Sequence, residues 1–122
     1  MLNLAENLLE HWYDIHTLTE LTELNLAANK LRRISPDIKN LKKLEKLDIS
    51  GNPLTTLVDL NPLRNLNLKE LNIAQNIYPL AQVCRIQNYQ LHIFFILQTL
   101  TTLDGQEVSG RSHGLIIYYD FH

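Results

Sequence analysis

Few side chains of this 122-residue chain are placed to carry out chemistry on a substrate. The one cysteine, Cys84, has no second cysteine for a disulfide or for a CxxC pair that binds zinc. The five histidines are scattered, at positions 11, 16, 92, 113 and 122. No GxxxxGK[ST], GxGxxG, HExxH or GxSxG sequence occurs. The sequence therefore predicts a protein that is not an enzyme and that holds no metal or cofactor.

Charged residues are unevenly distributed along the chain, although 11 Lys and Arg nearly balance 13 Asp and Glu. Residues 1–29 carry five acids and no Lys or Arg, whereas residues 30–46 carry seven bases and two acids. Such a cluster suits contact with an acidic partner. The bases that would make this contact are Lys30, Arg32, Arg33, Lys39, Lys42 and Lys43. No aromatic residue interleaves them to stack on a nucleotide, which argues against nucleic acid as that partner.

Asparagines recur in four similar segments, and this repeat defines the elements that must position the polar residues. Asn7, Asn29, Asn52 and Asn76 are 22, 23 and 24 residues apart. The full pattern is LxxLxLxxNxL, as in residues 21–31, LTELNLAANKL. Its alternating apolar residues predict a short strand with one side in the core. Because such strands are too short to be stable alone, successive coils must stack side by side. The asparagine amides would then satisfy backbone groups where the chain leaves each strand, a structural role.

The segments between the strands predict short helices on the opposite side of each coil. Their apolar residues recur mainly every third position, which favours 3₁₀ turns, and Pro36 and Pro62 exclude longer helices. The repeat pattern ends after Asn76, and residues 80–97 have the apolar spacing of a helix. We therefore predict a short α/β solenoid with parallel strands on its concave face, short helices on its convex face and a C-terminal helical cap.

The predicted domain spans residues 1–108, with a tail at 109–122 that does not belong to the repeats. Its parts are repeats near 2–20, 21–43, 44–67 and 68–79 and a cap at 80–108.

Residues 2 to about 108 resemble the intracellular leucine-rich repeat proteins whose last repeat is closed by a helix and the sequence LxxLDG. Residues 100–105, LTTLDG, match that sequence, and the resemblance implies structural roles for Asp104 and Gly105. The class includes regulators of protein phosphatase 1, the spliceosomal A-prime protein, axonemal and ciliary repeat proteins, tubulin-folding cofactor E and mRNA export factors. Residues 7–15, NLLEHWYDI, are similar to a repeat of tubulin-folding cofactor E. Residues 63–71, LRNLNLKEL, are similar to the export factors.

Polar residues of the strands would line the concave face in columns. One column holds Glu23, Lys46 and Glu70, the next Asn25, Asp48 and Asn72, and a third has small residues such as Ser50. Hydrogen-bond donors and acceptors on a concave face that small residues leave open suit recognition of a peptide or of protein side chains. We therefore predict a non-catalytic interaction module whose partner-binding residues are Glu23, Asn25, Lys46, Asp48, Ser50, Glu70 and Asn72.

Three functions are consistent with this pattern. The first is an adaptor or regulatory scaffold, the second an RNA-processing or mRNA-export component, and the third a truncated fragment without independent function. The third would explain why the chain begins on a strand at Leu2 and ends in the β-prone segment LIIYY, residues 115–119. That segment could also add a strand to an exposed sheet edge.

Location follows from three features of the sequence. The chain has a single thiol, no cationic signal peptide and no run of about 20 apolar residues. These features predict an intracellular protein, cytoplasmic or nuclear, that does not enter the membrane.

Overall fold

The computed structural model describes residues 1–75 and 77–108, and these residues form a six-stranded sheet in chain order. The strands are β1 (Leu2–Asn3), β2 (Glu23–Asn25), β3 (Lys46–Asp48), β4 (Glu70–Asn72), β5 (Thr102–Leu103) and β6 (Gln106–Glu107). Strands β1 to β5 pair in parallel, each with the next, and β6 pairs antiparallel with β5. The predicted solenoid of stacked parallel strands is therefore confirmed.

The register follows from the apolar residue at the centre of each repeat. Leu24 pairs with Leu47, Leu47 with Leu71, and Leu71 with Leu103 on the adjacent strands. Each of these four leucines is at most 4% exposed. Because side chains alternate across a strand, the residues on either side of each leucine turn to the other face of the sheet.

Short 3₁₀ helices return the chain from the end of one strand to the start of the next. The described residues contain four of them: Ile15–Thr17, Pro36–Asn40, Leu57–Asn65 and Gln82–Arg85. Pro36 opens the second of these, where its fixed φ suits a first helical position, and the Ser35 hydroxyl accepts a hydrogen bond from the Asp37 amide at 3.2 Å. Buried leucines and isoleucines of these segments complete the core against the strands.

Buried asparagines join neighbouring coils at the turns after β2 and β3. The Asn52 amide nitrogen donates to the carbonyls of Leu26 and Ile49 at 2.9 and 3.0 Å. Its oxygen accepts the Leu31 amide at 3.0 Å. Asn29 makes the equivalent bonds one coil earlier, to the carbonyls of Leu4 and Leu26 and from the amide of Leu9.

The first asparagine of the series has a smaller set of partners. Asn7 is exposed, and among the residues that the structure describes it donates only to carbonyls of its own coil, those of Leu4 and Ala5. Asn76 lies outside the described residues, as does the predicted tail 109–122.

The cap contains a shorter helix than the apolar spacing of residues 80–97 predicts. An α-helix, α1, spans Tyr89–Ile96, and Asn88 before it has a φ of 65°, which separates α1 from the 3₁₀ turn Gln82–Arg85. Phe95 is 79% exposed, whereas Ile93 is fully buried. The two residues are two positions apart in α1, so their side chains lie on nearly opposite faces of the helix.

The described chain ends in a hairpin that the sequence pattern did not predict. Asp104 and Gly105 have φ values of 52° and 80° and form a two-residue turn between β5 and β6. Turns with two positive φ angles suit hairpins, and Asp-Gly is a favoured pair for them. The strand β6 therefore covers the outer edge of β5.

None of the helices that the structure describes is long and apolar enough to cross a membrane. Within residues 1–75 and 77–108, no three His, Cys, Asp or Glu side chains lie together in a way that could hold a metal ion.

Candidate functional site

The concave face carries a charged column across its three central strands. Glu23, Lys46 and Glu70 are register neighbours on β2, β3 and β4. The Lys46 ammonium lies 3.7 Å from a Glu23 carboxylate oxygen and 4.0 Å from one of Glu70. All three side chains remain at least 38% exposed. Exposed ion pairs of this kind contribute about 0 to 1 kcal/mol to folding, so the column can exchange its partners for those of a bound segment.

The neighbouring column is polar and holds itself in place through local hydrogen bonds. Asn25 and Asp48 each accept the amide two residues further along the chain at 3.0 Å. Asp48 also accepts the amide nitrogen of Gln75 at 2.6 Å. Asn72 is paired in register with Asp48 on the adjacent strand. Together the two columns surround a shallow hollow of about 160 Å³.

Ser50, which the sequence places among the partner-binding residues, does not line this surface. Its side chain is completely buried, and its hydroxyl donates to Asp48 at 2.6 Å. The physical reason is position, because Ser50 follows the strand and lies where the chain turns toward the core. Its role is to orient the Asp48 carboxylate, and six of the seven proposed binding residues remain on the face.

Two residues at the rim of the face were not found from the sequence. Gln75 reaches across one strand to Asp48, and the Tyr78 hydroxyl donates to the Glu6 carboxylate at 3.3 Å. Tyr78 crosses over Gly51, where an added Cβ would lie 2.8 Å from the tyrosine Cβ. The one sequence signal for this contact is Gly51, because a glycine permits a φ of 72° and the close approach of Tyr78.

The basic cluster divides between two sides of the second coil. Lys43 forms an ion pair with Glu20, and Lys42 lies near it on the convex side, where it lines a hollow with His16. Lys30, Arg32 and Arg33 instead line a groove of about 650 Å³ at the edge of the solenoid. The opposite wall of that groove belongs to the first coil and consists of residues 10–13.

Aromatic residues therefore accompany the bases in space, although none interleaves them along the sequence. His11, Trp12 and Tyr13 line the same groove as Lys30, Arg32 and Arg33. The two groups are about 20 residues apart in the chain, which is one turn of the solenoid. In stacked coils, residues that are one repeat apart lie side by side. An aromatic residue can therefore lie next to the bases without lying between them in the sequence.

Partial burial shifts the pKa values of three side chains in the cap, those of Cys84, Tyr89 and His92. Burial raises the pKa of the Cys84 thiol to about 11, and the charge of Asp104 adds to that shift. Burial also raises the pKa of Tyr89, whose hydroxyl donates to Asp104 at 3.0 Å. Burial, with help from the charge of Arg64, lowers the pKa of His92, which lies 3.0 Å from the Asn61 side-chain oxygen. A protonated thiol and a neutral phenol are poor nucleophiles at neutral pH.

Stacked coils with a polar, open strand face define a solenoid repeat protein. The family model for leucine-rich repeats matches two copies at residues 19–65. The chain is a leucine-rich repeat protein.

Proteins of similar sequence include the U2 small nuclear ribonucleoprotein A′ of two organisms. The protein from Emericella nidulans is 32% identical over 109 residues, which are 88% of this chain and 45% of the relative. The protein from Arabidopsis thaliana is 28% identical over 112 residues, 90% of this chain and 43% of the relative. The chain therefore spans less than half the length of these two relatives.

Solved structures of similar fold include a chain of a protein complex and a leucine-rich repeat domain. The Drosophila melanogaster SNF/U2A′ complex contains a chain that matches with a TM-score of 0.69 and 22% identity, over 95% of this chain and 67% of that one. The Mex67 leucine-rich repeat domain from Chaetomium thermophilum matches with a TM-score of 0.62 and 24% identity, over 86% and 70%. At these identities the likeness is one of fold.

Proposed function

We propose that the chain is a non-catalytic interaction module that holds a segment of a protein partner on its concave strand face. The observation that carries this proposal is the two registered columns, Glu23 with Lys46 and Glu70, and Asn25 with Asp48 and Asn72. They present donors, acceptors and both signs of charge on an open surface held by parallel strands. The charged residues of the face carry a net charge of −2, which favours a basic or donor-rich partner segment.

The setting that the relatives favour is a nuclear RNA-processing assembly. Two relatives are named as components of the U2 small nuclear ribonucleoprotein, and one structural neighbour is a complex of U2A′ with SNF. We therefore place the partner in a nuclear ribonucleoprotein, ahead of phosphatase, tubulin or axonemal partners. The expected result is that small nuclear RNA is recovered with the protein from nuclear extract and is lost after RNase treatment, while the direct protein partner is retained.

An affinity purification with matched variants tests the concave face. Asn72→Arg places a bulky cation in the centre of the face, next to Asp48, where its charge is tolerated. Asn40→Arg makes the same substitution at an exposed residue of the convex side. We expect the direct partner to be reduced at least tenfold by Asn72→Arg and unchanged by Asn40→Arg, in quantitative mass spectrometry with proteins of equal Tm. Equal recovery with both variants would remove the concave face from the proposal.

We also propose that basic residues of the second coil bind an anionic partner. Lys30, Arg32 and Arg33 lie at the edge of the coil, away from the strand face. A partner bound there would leave the concave face open, so the two surfaces can be tested independently.

A further inference from the structure

The groove between the first and second coils has two chemically different walls. One wall is cationic and consists of Lys30, Arg32 and Arg33, and the other carries the rings of His11 and Tyr13. Its volume of about 650 Å³ falls in the range of 300 to 1,000 Å³ that is common for ligand sites. All five side chains belong to exposed residues.

Hydrogen bonds between the coils hold the two walls in place. The Trp12 indole N–H donates to the Arg33 carbonyl at 2.8 Å, and Trp12 is only 9% exposed. The Lys30 amide donates to the Leu9 carbonyl at 2.8 Å, and the Leu9 amide donates to Asn29 at 3.0 Å. Because the backbone is fixed at both ends of the groove, its shape is set before any ligand binds, which lowers the entropic cost of binding.

The positive charge of the groove is not neutralised within the described part of the chain. The ion pairs found there involve Lys43, Lys46 and Lys69, and none includes Lys30, Arg32 or Arg33. Glu10 is the one acid that lines the groove. The local charge is therefore +2, in a chain whose formal net charge is −2. The planar guanidinium groups of Arg32 and Arg33 can each donate two parallel hydrogen bonds to the oxygens of a phosphate group.

The aromatic wall indicates which anion the groove recognises. Tyr13 as a residue is 66% exposed, and it holds a left-handed φ of 50°, which is uncommon for a bulky side chain. His11 packs against it edge to face, with ring centroids 5.9 Å apart. A flat exposed ring beside guanidinium groups can stack on a nucleobase, whereas an Asp- or Glu-rich peptide has no group that uses it.

We propose that this groove binds a single-stranded nucleic acid segment, with phosphates on Lys30, Arg32 and Arg33 and a base stacked on Tyr13. This inference rests on the anionic partner proposed above and names its class. The site is separate from the concave face, so both surfaces can be occupied in one assembly.

Fluorescence anisotropy with three labelled probes tests the class of ligand. The probes are a ten-nucleotide single-stranded RNA of mixed sequence, the same RNA annealed to its complement, and a ten-residue polyglutamate peptide. We expect the single strand to bind at least about tenfold more tightly than either of the others, because only it offers an unpaired base. With three phosphate contacts, affinity should fall about 20-fold between 50 and 200 mM salt.

Charge variants test whether the bases act locally or through net charge alone. Arg32→Glu with Arg33→Glu should weaken RNA binding by about 30-fold or more. The matched control, Lys39→Glu with Lys42→Glu, makes the same change in net charge outside the groove and should weaken it less than about threefold. Equal losses in the two double variants would overturn the proposal, since binding would then follow the overall field.

Variants of Tyr13 test stacking separately from charge. Tyr13→Ala should reduce affinity by about tenfold, and Tyr13→Phe should retain it within about twofold. Phe95→Ala, which removes an exposed ring elsewhere, should have no effect. Circular dichroism establishes that each variant is folded. If polyglutamate binds as tightly as RNA and Tyr13→Ala has no effect, nucleic acid is wrong while an anionic protein partner stands. If none of the probes binds, the anionic partner itself is wrong.

Discussion

At the scale of single residues, the side chains of Asn29 and Asn52 link neighbouring coils by hydrogen bonds. Each donates to a carbonyl of the preceding coil and to carbonyls of its own coil, and accepts one amide through its oxygen. Both residues are less than 7% exposed, so water cannot replace these partners. A buried amide with all its hydrogen bonds formed fixes the turn, and loss of the amide leaves several backbone groups unpaired.

Replacement of Asn52 by alanine tests that role. Asn52→Ala leaves the carbonyl of Ile49 and the amide of Leu31 without their side-chain partner, and should reduce the free energy of unfolding by about 1 to 3 kcal/mol. Asn7→Ala is the matched control, because Asn7 is exposed and contacts one coil only. It should change the free energy of unfolding by less than about 0.5 kcal/mol in urea denaturation. An unchanged Tm for Asn52→Ala would contradict the assigned role.

Cys84 should react slowly in the folded protein. Its pKa of about 11 leaves about one thiol in a thousand ionised at pH 8. We expect a disulfide-exchange reagent to modify the native protein about 100-fold more slowly than the same protein in urea. Because the pKa of this thiol is higher in the folded protein than in the unfolded chain, where it is about 9, its contribution to stability is present below about pH 9 and is lost as the pH rises through about 11. Equal rates in buffer and in urea would show that the thiol is not buried.

At the scale of secondary-structure elements, Asp104 closes the sheet. Its carboxylate takes the place of the backbone carbonyl that a further coil would supply. In the inner coils, the amide after each strand donates to a carbonyl of the next coil, as Leu26 does to Asp48 and Ile49 to Asn72. After β4 that carbonyl is replaced by the Asp104 carboxylate, which accepts the amides of Ile73 and Ala74 at 2.7 and 2.8 Å. The other carboxylate oxygen accepts the Tyr89 hydroxyl and so attaches α1 to the same point.

Substitution of Asp104 should destabilise the cap. Asp104→Ala removes the acceptor for two amides and one hydroxyl, and should reduce the free energy of unfolding by about 2 to 4 kcal/mol. Asp104→Asn keeps one acceptor oxygen and tolerates the left-handed turn, so its cost should be about half as large. Glu107→Ala, which removes an exposed acid of the same hairpin, is the control. A cost for Asp104→Ala no greater than that of Glu107→Ala would contradict the closing role.

The elements that depend on local pattern could be predicted from the sequence, and those that depend on contacts between coils could not. Leu24, Leu47 and Leu71 recur at the repeat period, so their strands and register followed directly. The antiparallel strand β6 and the break at Asn88 depend on how the last coil is closed. Likewise, Ser50 is buried because the turn carries it inward, which its position in the column of small residues did not indicate.

The whole molecule separates its candidate surfaces onto different sides. The strand face carries the charged column centred on Lys46, whereas the groove of Arg32 and Arg33 lies where the chain leaves the strands. The fold makes this possible, because each coil contributes strand residues to one surface and turn residues to another. The partner on the strand face would contact mainly the second to fourth coils, and a ligand in the groove would bridge the first and second.

Stability should therefore vary along the solenoid. In the described structure β1 has a neighbour on one side, and Leu8 and Leu18 of its coil are 77% and 44% exposed, whereas β3 lies between β2 and β4. Because each coil is stabilised by its neighbours, the first coil should open without global unfolding. The Leu4 amide, bonded to the Asn25 carbonyl, should exchange at least about 100-fold faster than the Ile49 amide, bonded to that of Asn72.

Native-state hydrogen exchange measured by NMR distinguishes local from global opening. Exchange of the Ile49 amide should accelerate with urea as steeply as global unfolding does, whereas that of Leu4 should be nearly independent of urea. Equal urea dependence for the two amides would mean that the solenoid opens as one unit. A ligand that bridges residues 10–13 and 30–33 should slow exchange at Leu4, since it adds a contact between the first coil and the second. A partner confined to the strand face around Asn72 should leave Leu4 unchanged, so the same experiment reports which surface is occupied.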